Sequence, residues 1–439
     1  MTIAAEIKPM IVPSALLASR VRVIGAGVCL VLWSLCVQAV RADDWFWVNS
    51  KINGKPARLV LDTGCEPGLA LFRHSAERLN LKLRTAEIHS TNQIPYWLTD
   101  ECTVKLPWSF WGFAHAKGQL TVVELPPYVE HSLNMDGVDG AVGWGLVSER
   151  VLELDAVRGK FRLTHRVSKK ANGWAKLTLR KSLPWGRQLA LEMPNPDGSN
   201  EVIIVDTGAC GIGVALSPQK WKEWKATHPN QPTTLSGKFM VQPEVYVIER
   251  AWADQISLGP INLADVVVEE TDPASAIRLP QYAATFGVEA LKRLDFIVDG
   301  KGGVAYLQPK KTTVPSPLSE QDRLVLVFVP GDAKSDDLVA RVLDGSSPYD
   351  AGIRNGDVLL KIDERDVAQW RADPGEKWRV DPGNPFIVPS SNNPAGIKLE
   401  LTLKRNGDLL KATIDLTEIA VLAPQTTSRP WEPVEKAAR

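Results

Sequence analysis

The chain has no excess charge of either sign: among its 439 residues, Lys and Arg total 51, and Asp and Glu total 51. A nucleic-acid binder needs a positive field to displace counterions from phosphate, and no basic run restores one locally, so a nucleic-acid partner is excluded. Cysteine (5) and histidine (6) are scarce, with no CxxC, no HExxH and no histidines at ligand spacing. A zinc site therefore has no ligand set, and neither a metal nor a cofactor is expected. No GxSxG elbow is present, nor a serine in a glycine-rich context with His and Asp partners, which removes serine-nucleophile hydrolysis. Tyrosine is rare (6), whereas tryptophan is frequent (15), a bias that reads as packing rather than as a motif. With 44% hydrophobic and 23% charged residues the composition is that of a soluble globular protein, and the length allows two to four domains.

Long apolar runs are absent except near the N terminus, where Val23–Val40 carries no charge and follows Arg20 and Arg22. Val40-Arg41-Ala42 then offers small or aliphatic residues at a cut before Asp43. This is the layout of a secretory signal peptide, with an uncleaved N-terminal anchor as the alternative. The expectation is an exported protein, periplasmic or extracellular, that meets a membrane only through such an anchor. Cys29 and Cys36 lie in that segment. Cys65, Cys102 and Cys210 remain, an odd number that cannot all pair internally, and a single disulfide among them is left open.

What the chain does contain is a repeat. Leu59-Val60-Leu61-Asp62-Thr63-Gly64 recurs as Ile203-Ile204-Val205-Asp206-Thr207-Gly208, an offset of 144 (206 minus 62). The same offset carries Val142-Gly143 onto Phe286-Gly287, Leu154-Asp155 onto Val298-Asp299, Gly159 onto Gly303, Leu163 onto Leu307 and Trp108 onto Trp252. One Asp-Thr-Gly arises easily by accident; two on apolar runs with matching landmarks at equal spacing do not. Both copies read as β, each with a strand entering the turn, a strand leaving it (Leu69–Phe72, Gly213–Leu216) and a short helix (Ser75–Leu79; Ser217 and Pro218 to Lys225). Asn53-Gly54 marks a hairpin with a preceding strand, Trp45–Ile52.

A carboxylate at the end of a buried strand costs free energy unless it is hydrogen-bonded or does chemistry. The glycine after Asp-Thr allows a tight turn in which backbone amides approach the carboxylate while exposing it, and the threonine hydroxyl can lock that turn. If two such turns face each other, the two carboxylates share one proton, because like charges that close cannot both ionise. The ionised member can take a proton from water while the protonated one polarises a carbonyl, which is amide hydrolysis without a covalent intermediate.

Val60–Gly64 with Ala141-Val142-Gly143, and Ile204–Gly208 with Thr285-Phe286-Gly287, resemble the two signatures of retropepsin-like and pepsin-like aspartyl proteases. The resemblance covers about residues 43–310. It implies a mainly β fold with two duplicated lobes, in which the later hydrophobic–hydrophobic–glycine strand threads the loop bearing each aspartate. It makes Asp62 and Asp206 the catalytic pair, Thr63 and Thr207 the locking residues and Gly64 and Gly208 the supporting turn glycines. The substrate class it implies is a peptide or unfolded protein. Two features depart from the pattern: Cys65 follows the first glycine, and Glu66 adds a third carboxylate near Asp62. A flap is not evident, with Tyr96 in Gln93–Trp97 as the candidate. The alternative is a catalytically inactive, peptide-binding scaffold.

Lys310–Asp322 is a polar, proline-marked linker. Beyond it, Leu338–Leu343, the Pro348–Ala351 helix, the Asn355-Gly356-Asp357 turn and the hairpin of Ile397–Leu403 and Leu410–Leu416 resemble a PDZ domain of the kind attached to bacterial proteases. The resemblance implies capture of a C-terminal peptide by strand addition, for substrate recruitment or regulation. Pro330-Gly331-Asp332 stands where the carboxylate loop is expected, and Gln369–Asn393 is a long Trp/Pro/Asn-rich insertion where a groove helix is expected. The expected organisation is a leader or anchor over 1–42, lobes over 43–168 and 169–310, a linker over 311–322, a PDZ-like domain over 323–420 and a tail over 421–439. The segment from Thr164 to Leu177 is long enough for the two lobes to pair within one chain.

Overall fold

A computed structural model describes residues 35–36 and, outside 66–67, 85–95, 108–115, 125–136, 181–182, 184–187, 196, 240–244, 272–280, 312–323, 332–336, 373–377, 381–385 and 390–395, residues 45–422. Within these residues the protein is mainly β, with sheets of 13, 8 and 9 strands. Among them no helix is long and apolar enough to cross a membrane. Apart from Leu35–Cys36, which pairs antiparallel with Phe239 and Lys238, the expected N-terminal leader lies outside the described residues.

The first repeat opens with the hairpin of Trp47–Ile52 and Lys55–Asp62. Its turn, Asn53-Gly54, has φ of 48° and 80°, the left-handed pair that makes Asn-Gly a hairpin signal. Along Lys55–Asp62 burial alternates and then becomes continuous from Leu59 onward, so the strand drives Asp62 into the interior. The strand Gly140–Gly143 lies beside it in parallel, with Asp62 opposite Gly143, and antiparallel to Leu69–Phe72 on its other edge. In the second repeat Tyr282–Phe286 takes the same place between Asn200–Val205 and Val214–Leu216. Each aspartate turn is thus flanked by a strand that arrives more than 70 residues later in the chain, which is what holds it. The close approach demands glycine. A Cβ on Gly140 would lie 2.1 Å from the Ala70 carbonyl oxygen.

The two repeats are knitted together. Val151–Asp155 pairs antiparallel with Leu294–Asp299, with Leu152 opposite Val298 and Leu154 opposite Phe296. Replacing Leu152, Glu153 and Leu154 and their partners by the residues 144 positions away regenerates the same three pairs. Lys160–Thr164 and Val304–Pro309 extend this sheet on either side, and Ala175–Leu179 follows. The stretch from Thr164 to Leu177 is therefore no free linker. Its ends are strands joined through a single turn of 3-10 helix at Lys169–Ala171, because Leu163 and Leu177 are buried and tie those ends to the core. One apolar core runs through both repeats, from Trp45 to Leu307. The expected helices form at Arg73–Arg78 and Pro218–Thr227, and Ser217 caps the second by accepting the Lys220 N–H at 3.3 Å.

The C-terminal sheet has its own apolar core, built on Leu326, Phe328, Leu338, Leu401, Leu403 and Ile419. Its turn signals form as read: Asn406-Gly407, with φ of 50° and 99°, joins Lys398–Arg405 to Asp408–Asp415. The turn at Asn355–Asp357 is held by side chains. Asn355 accepts the Val342 N–H at 2.8 Å, and the buried Asp357 carboxylate accepts from Nε and Nη2 of Arg405 at 2.6 and 2.7 Å. The insertion contributes the end of a helix, Val367–Ala372, and two antiparallel strands, Trp378–Val380 and Phe386–Pro389. The strand Leu326–Pro330 is paired on both edges, antiparallel to Leu338–Val342 and parallel to Ile419–Leu422. Asp332, the end of the expected carboxylate loop, lies outside the described residues. Leu235, on the hairpin of Thr233–Phe239 and Val245–Leu258, is buried in this C-terminal core, and its N–H donates to the Leu324 carbonyl at 2.6 Å.

Candidate active site

The two Asp-Thr-Gly turns meet face to face, and the contacts are made within one chain. The Thr63 hydroxyl donates to the Val205 carbonyl at 2.6 Å and accepts the Thr207 N–H at 3.1 Å. The Thr207 hydroxyl does the same in reverse, donating to the Leu61 carbonyl at 2.7 Å and accepting the Thr63 N–H at 3.0 Å. Both threonines are fully buried, so these four bonds form where no water competes with them. A threonine was expected to lock its own turn. Each instead locks the opposite one, because its hydroxyl reaches the carbonyl of the residue before the other aspartate.

Asp62 and Asp206 are brought together by this grip. Gly64 N–H donates to Asp62 Oδ1 at 2.9 Å, and Gly208 N–H donates to Asp206 Oδ1 at 2.8 Å. Each carboxyl lies against the glycine of the other turn: a Cβ on Gly64 would stand 2.5 Å from Asp206 Cγ, and one on Gly208 would stand 2.6 Å from Asp62 Cγ. Neither glycine has a positive φ, so the reason for glycine here is space for the facing carboxyl and not a left-handed turn. The expectation that the turn exposes its carboxylate is corrected. Asp62 and Asp206 are 0% and 1% exposed, because each is covered by the other turn.

Two carboxyls without solvent cannot both carry charge. Burial, then the Asp206 charge, then a hydrogen bond shared with Asp206 hold Asp62 well above the ordinary carboxylic range. Burial pushes Asp206 up to about 6, against the pull of the Gly208 N–H, the Asp62 hydrogen bond and the Ala209 and Gly64 amides. Asp62 Oδ2 is buried and has no hydrogen-bond donor among the described residues. An acceptor facing another carboxyl is satisfied only when one of the two carries a proton.

Thr63, Gly64, Thr207 and Gly208 all lie where the two turns meet. Glu66, the third carboxylate, lies outside the described residues. Tyr96, the flap candidate, sits in the strand Tyr96–Leu98 at the edge of the eight-stranded sheet, opposite Val123, and its neighbours Gln93–Pro95 are not described. Cys65, Cys102 and Cys210 are buried, and the disulfide left open by the sequence does not form among them. Sequence reasoning missed Gln188, whose side-chain amide donates to the Gly64 carbonyl. Its only trace is position, just before the strand Ala190–Pro194 that pairs with the second aspartate strand.

No family model matches the chain, and no curated protein matches it. Of solved structures 385 chains match, among them the EIAV protease complexed with an inhibitor, at 17% identity over 24% of this chain and 88% of that one, with a TM-score of 0.17. At that score the overlap shows a weak structural likeness to one protease, and the family of this chain is left to its own residues.

Proposed function

We propose that the protein is an exported aspartic-type endopeptidase, in which Asp62 and Asp206 activate water to hydrolyse peptide bonds of unfolded protein. The observation that carries this reading is the reciprocal grip of Thr63 and Thr207, which sets two buried carboxyls against each other. With Asp62 holding its proton more tightly, Asp206 is the base. It takes a proton from water as the water oxygen attacks the scissile carbonyl carbon, and Asp62 donates its proton to the carbonyl oxygen. The tetrahedral adduct then collapses: Asp206 returns a proton to the leaving nitrogen, the C–N bond breaks and Asp62 recovers its own proton. Residues 43–168 and 169–310 are read as duplicated acid-protease-like lobes. Residues 323–420 are read as a PDZ-like module that recruits substrate or regulates access. Among the described residues the outer strands of the C-terminal sheet are Trp378–Val380 and Asp408–Asp415, and strand addition needs such an edge. The basic flank, apolar centre and small-residue cut over 1–42 support export.

One observation favours a second reading, a scaffold that binds peptides without cleaving them: both carboxyls are buried away from water. Cleavage of an unfolded-protein mixture between pH 4 and 9, with Asp206→Asn as control, separates the two. Products from the parent chain and none from the variant support the enzyme; equal cleavage by both removes the proposed chemistry.

A further inference from the structure

The grip is symmetric, but the support behind it is not. Gln188, from the second repeat, reaches across to donate its side-chain amide to the Gly64 carbonyl, and the next residue, Leu189, donates its backbone N–H to the Thr63 carbonyl at 3.0 Å. Among the described residues the first repeat has no such pair. The strand bond from Leu61 N–H to the Phe46 carbonyl at 2.8 Å mirrors that from Val205 N–H to the Leu189 carbonyl at 2.9 Å, so Phe46 stands where Leu189 does and Trp45 where Gln188 does. Trp45 is buried, and its indole N–H has no acceptor among the described residues. The Gly208 carbonyl takes the N–H of Cys210 from its own turn, at 3.0 Å.

We propose that Gln188 is a positioning residue that holds the Asp62 turn from the opposite half and keeps the Asp62 proton ready for transfer. The inference rests on the aspartic-dyad reading for its meaning in catalysis, although the asymmetry itself does not. A peptide whose carbonyl accepts a hydrogen bond becomes a better donor at its own N–H. Gln188 acts in this way on the Gly64–Cys65 peptide, whose N–H points back at Asp62 and bonds its backbone carbonyl at 3.1 Å. Leu189 acts on the Thr63–Gly64 peptide, whose N–H reaches Asp62 Oδ1. Both amides that face the Asp62 carboxyl are thereby strengthened from the opposite repeat; facing Asp206, the Ala209 N–H is strengthened only from within its own turn, by the Cys210 bond to the Gly208 carbonyl, and the Gly208 N–H has no such support among the described residues. The charged group facing Asp62 is Asp206; its other partners are the uncharged amides of Gly64 and Cys65. Gln188 therefore stabilises the Asp62 anion and limits the rise that burial imposes on it.

The test is made in the full chain carrying Asp206→Asn, where Asp62 titrates without its charged partner, followed by carboxyl 13C NMR. Adding Gln188→Met, which keeps length and loses the donor, raises the Asp62 midpoint by roughly half a pH unit. An unchanged or lower midpoint overturns the proposal whether or not the protein cleaves anything. In the parent background, Gln188→Met lowers kcat by roughly tenfold with KM little changed. Gln188→Glu supplies a second arm, since a protonated carboxyl can donate to the Gly64 carbonyl and an ionised one cannot. Its activity relative to the parent falls between pH 5 and pH 8, and a ratio that does not change with pH counts against the role. Full cleavage by Asp206→Asn alone would reject the dyad reading and leave the titration result standing.

Discussion

Replacing Asp206 by Asn should stabilise the protein in neutral solution while removing its proposed activity. The Asp206 carboxyl is fully buried, and its pKa lies at about 6 against 3.8 for a free carboxyl. Below the free value the group is protonated in folded and unfolded chains alike and contributes no difference. Between the two values the unfolded chain releases the proton and the folded chain keeps it, so folding becomes less favourable as pH rises. Above about 6 the folded chain is ionised too and bears the whole penalty. The gap of about two pH units, at about 1.4 kcal/mol each, amounts to about 3 kcal/mol. An asparagine keeps an oxygen for the Gly208 N–H, never ionises, and removes the charge that opposes Asp62. The gain in unfolding free energy of Asp206→Asn should thus be near zero at pH 3.5, grow through pH 5 and level off above pH 6.5 at about 3 kcal/mol. Urea unfolding, followed by tryptophan fluorescence across that range, measures it. A variant that is equally stable or less stable at pH 8, or a gain that does not depend on pH, would refute the burial argument.

Other perturbations follow from the same contacts. Thr63→Val removes one hydroxyl that both donates and accepts across the two turns, and should lower stability by about 2 kcal/mol; Thr207→Val should do the same, and the double variant less than twice as much, since the bonds share partners. Gly64→Ala and Gly208→Ala force a Cβ into the facing carboxyl and should each reduce cleavage by roughly a hundredfold or more while the chain still folds, which kcat/KM and circular dichroism together check. Cleavage should rise with pH through about 6, as Asp206 gives up its proton, and fall again at the higher pH where Asp62 ionises; a profile that peaks near pH 3 would contradict the assignment of base and acid. Removing residues 311–439 should uncover Leu235 and Val247 and make the 233–258 hairpin more sensitive to limited proteolysis than in the full chain.

Much of the site was legible because duplication leaves a regular mark. The 144-residue offset separating Thr63 from Thr207 in the sequence is the one their hydrogen bond spans, and turn chemistry at Asn53-Gly54 and Asn406-Gly407 marked hairpins that formed in place. Gln188 was not legible, since a lone glutamine before a strand has no pattern, and its importance comes only from reaching a carbonyl that lies 124 residues away. The hairpin of Thr233–Phe239 and Val245–Leu258 was missed for a similar reason: its Leu235 is buried in a core supplied by residues beyond 323, so no local periodicity explains it.

By itself, the sequence determined that two like turns exist and which residues they carry, because strand and turn preferences act over a few neighbouring positions. Only the tertiary structure decided that each threonine grips the other turn, that glycine is needed for room and not for φ, and that both carboxyls are hidden from water. Those outcomes depend on distances between segments far apart along the chain, and such distances are set by packing, which no short stretch of sequence encodes.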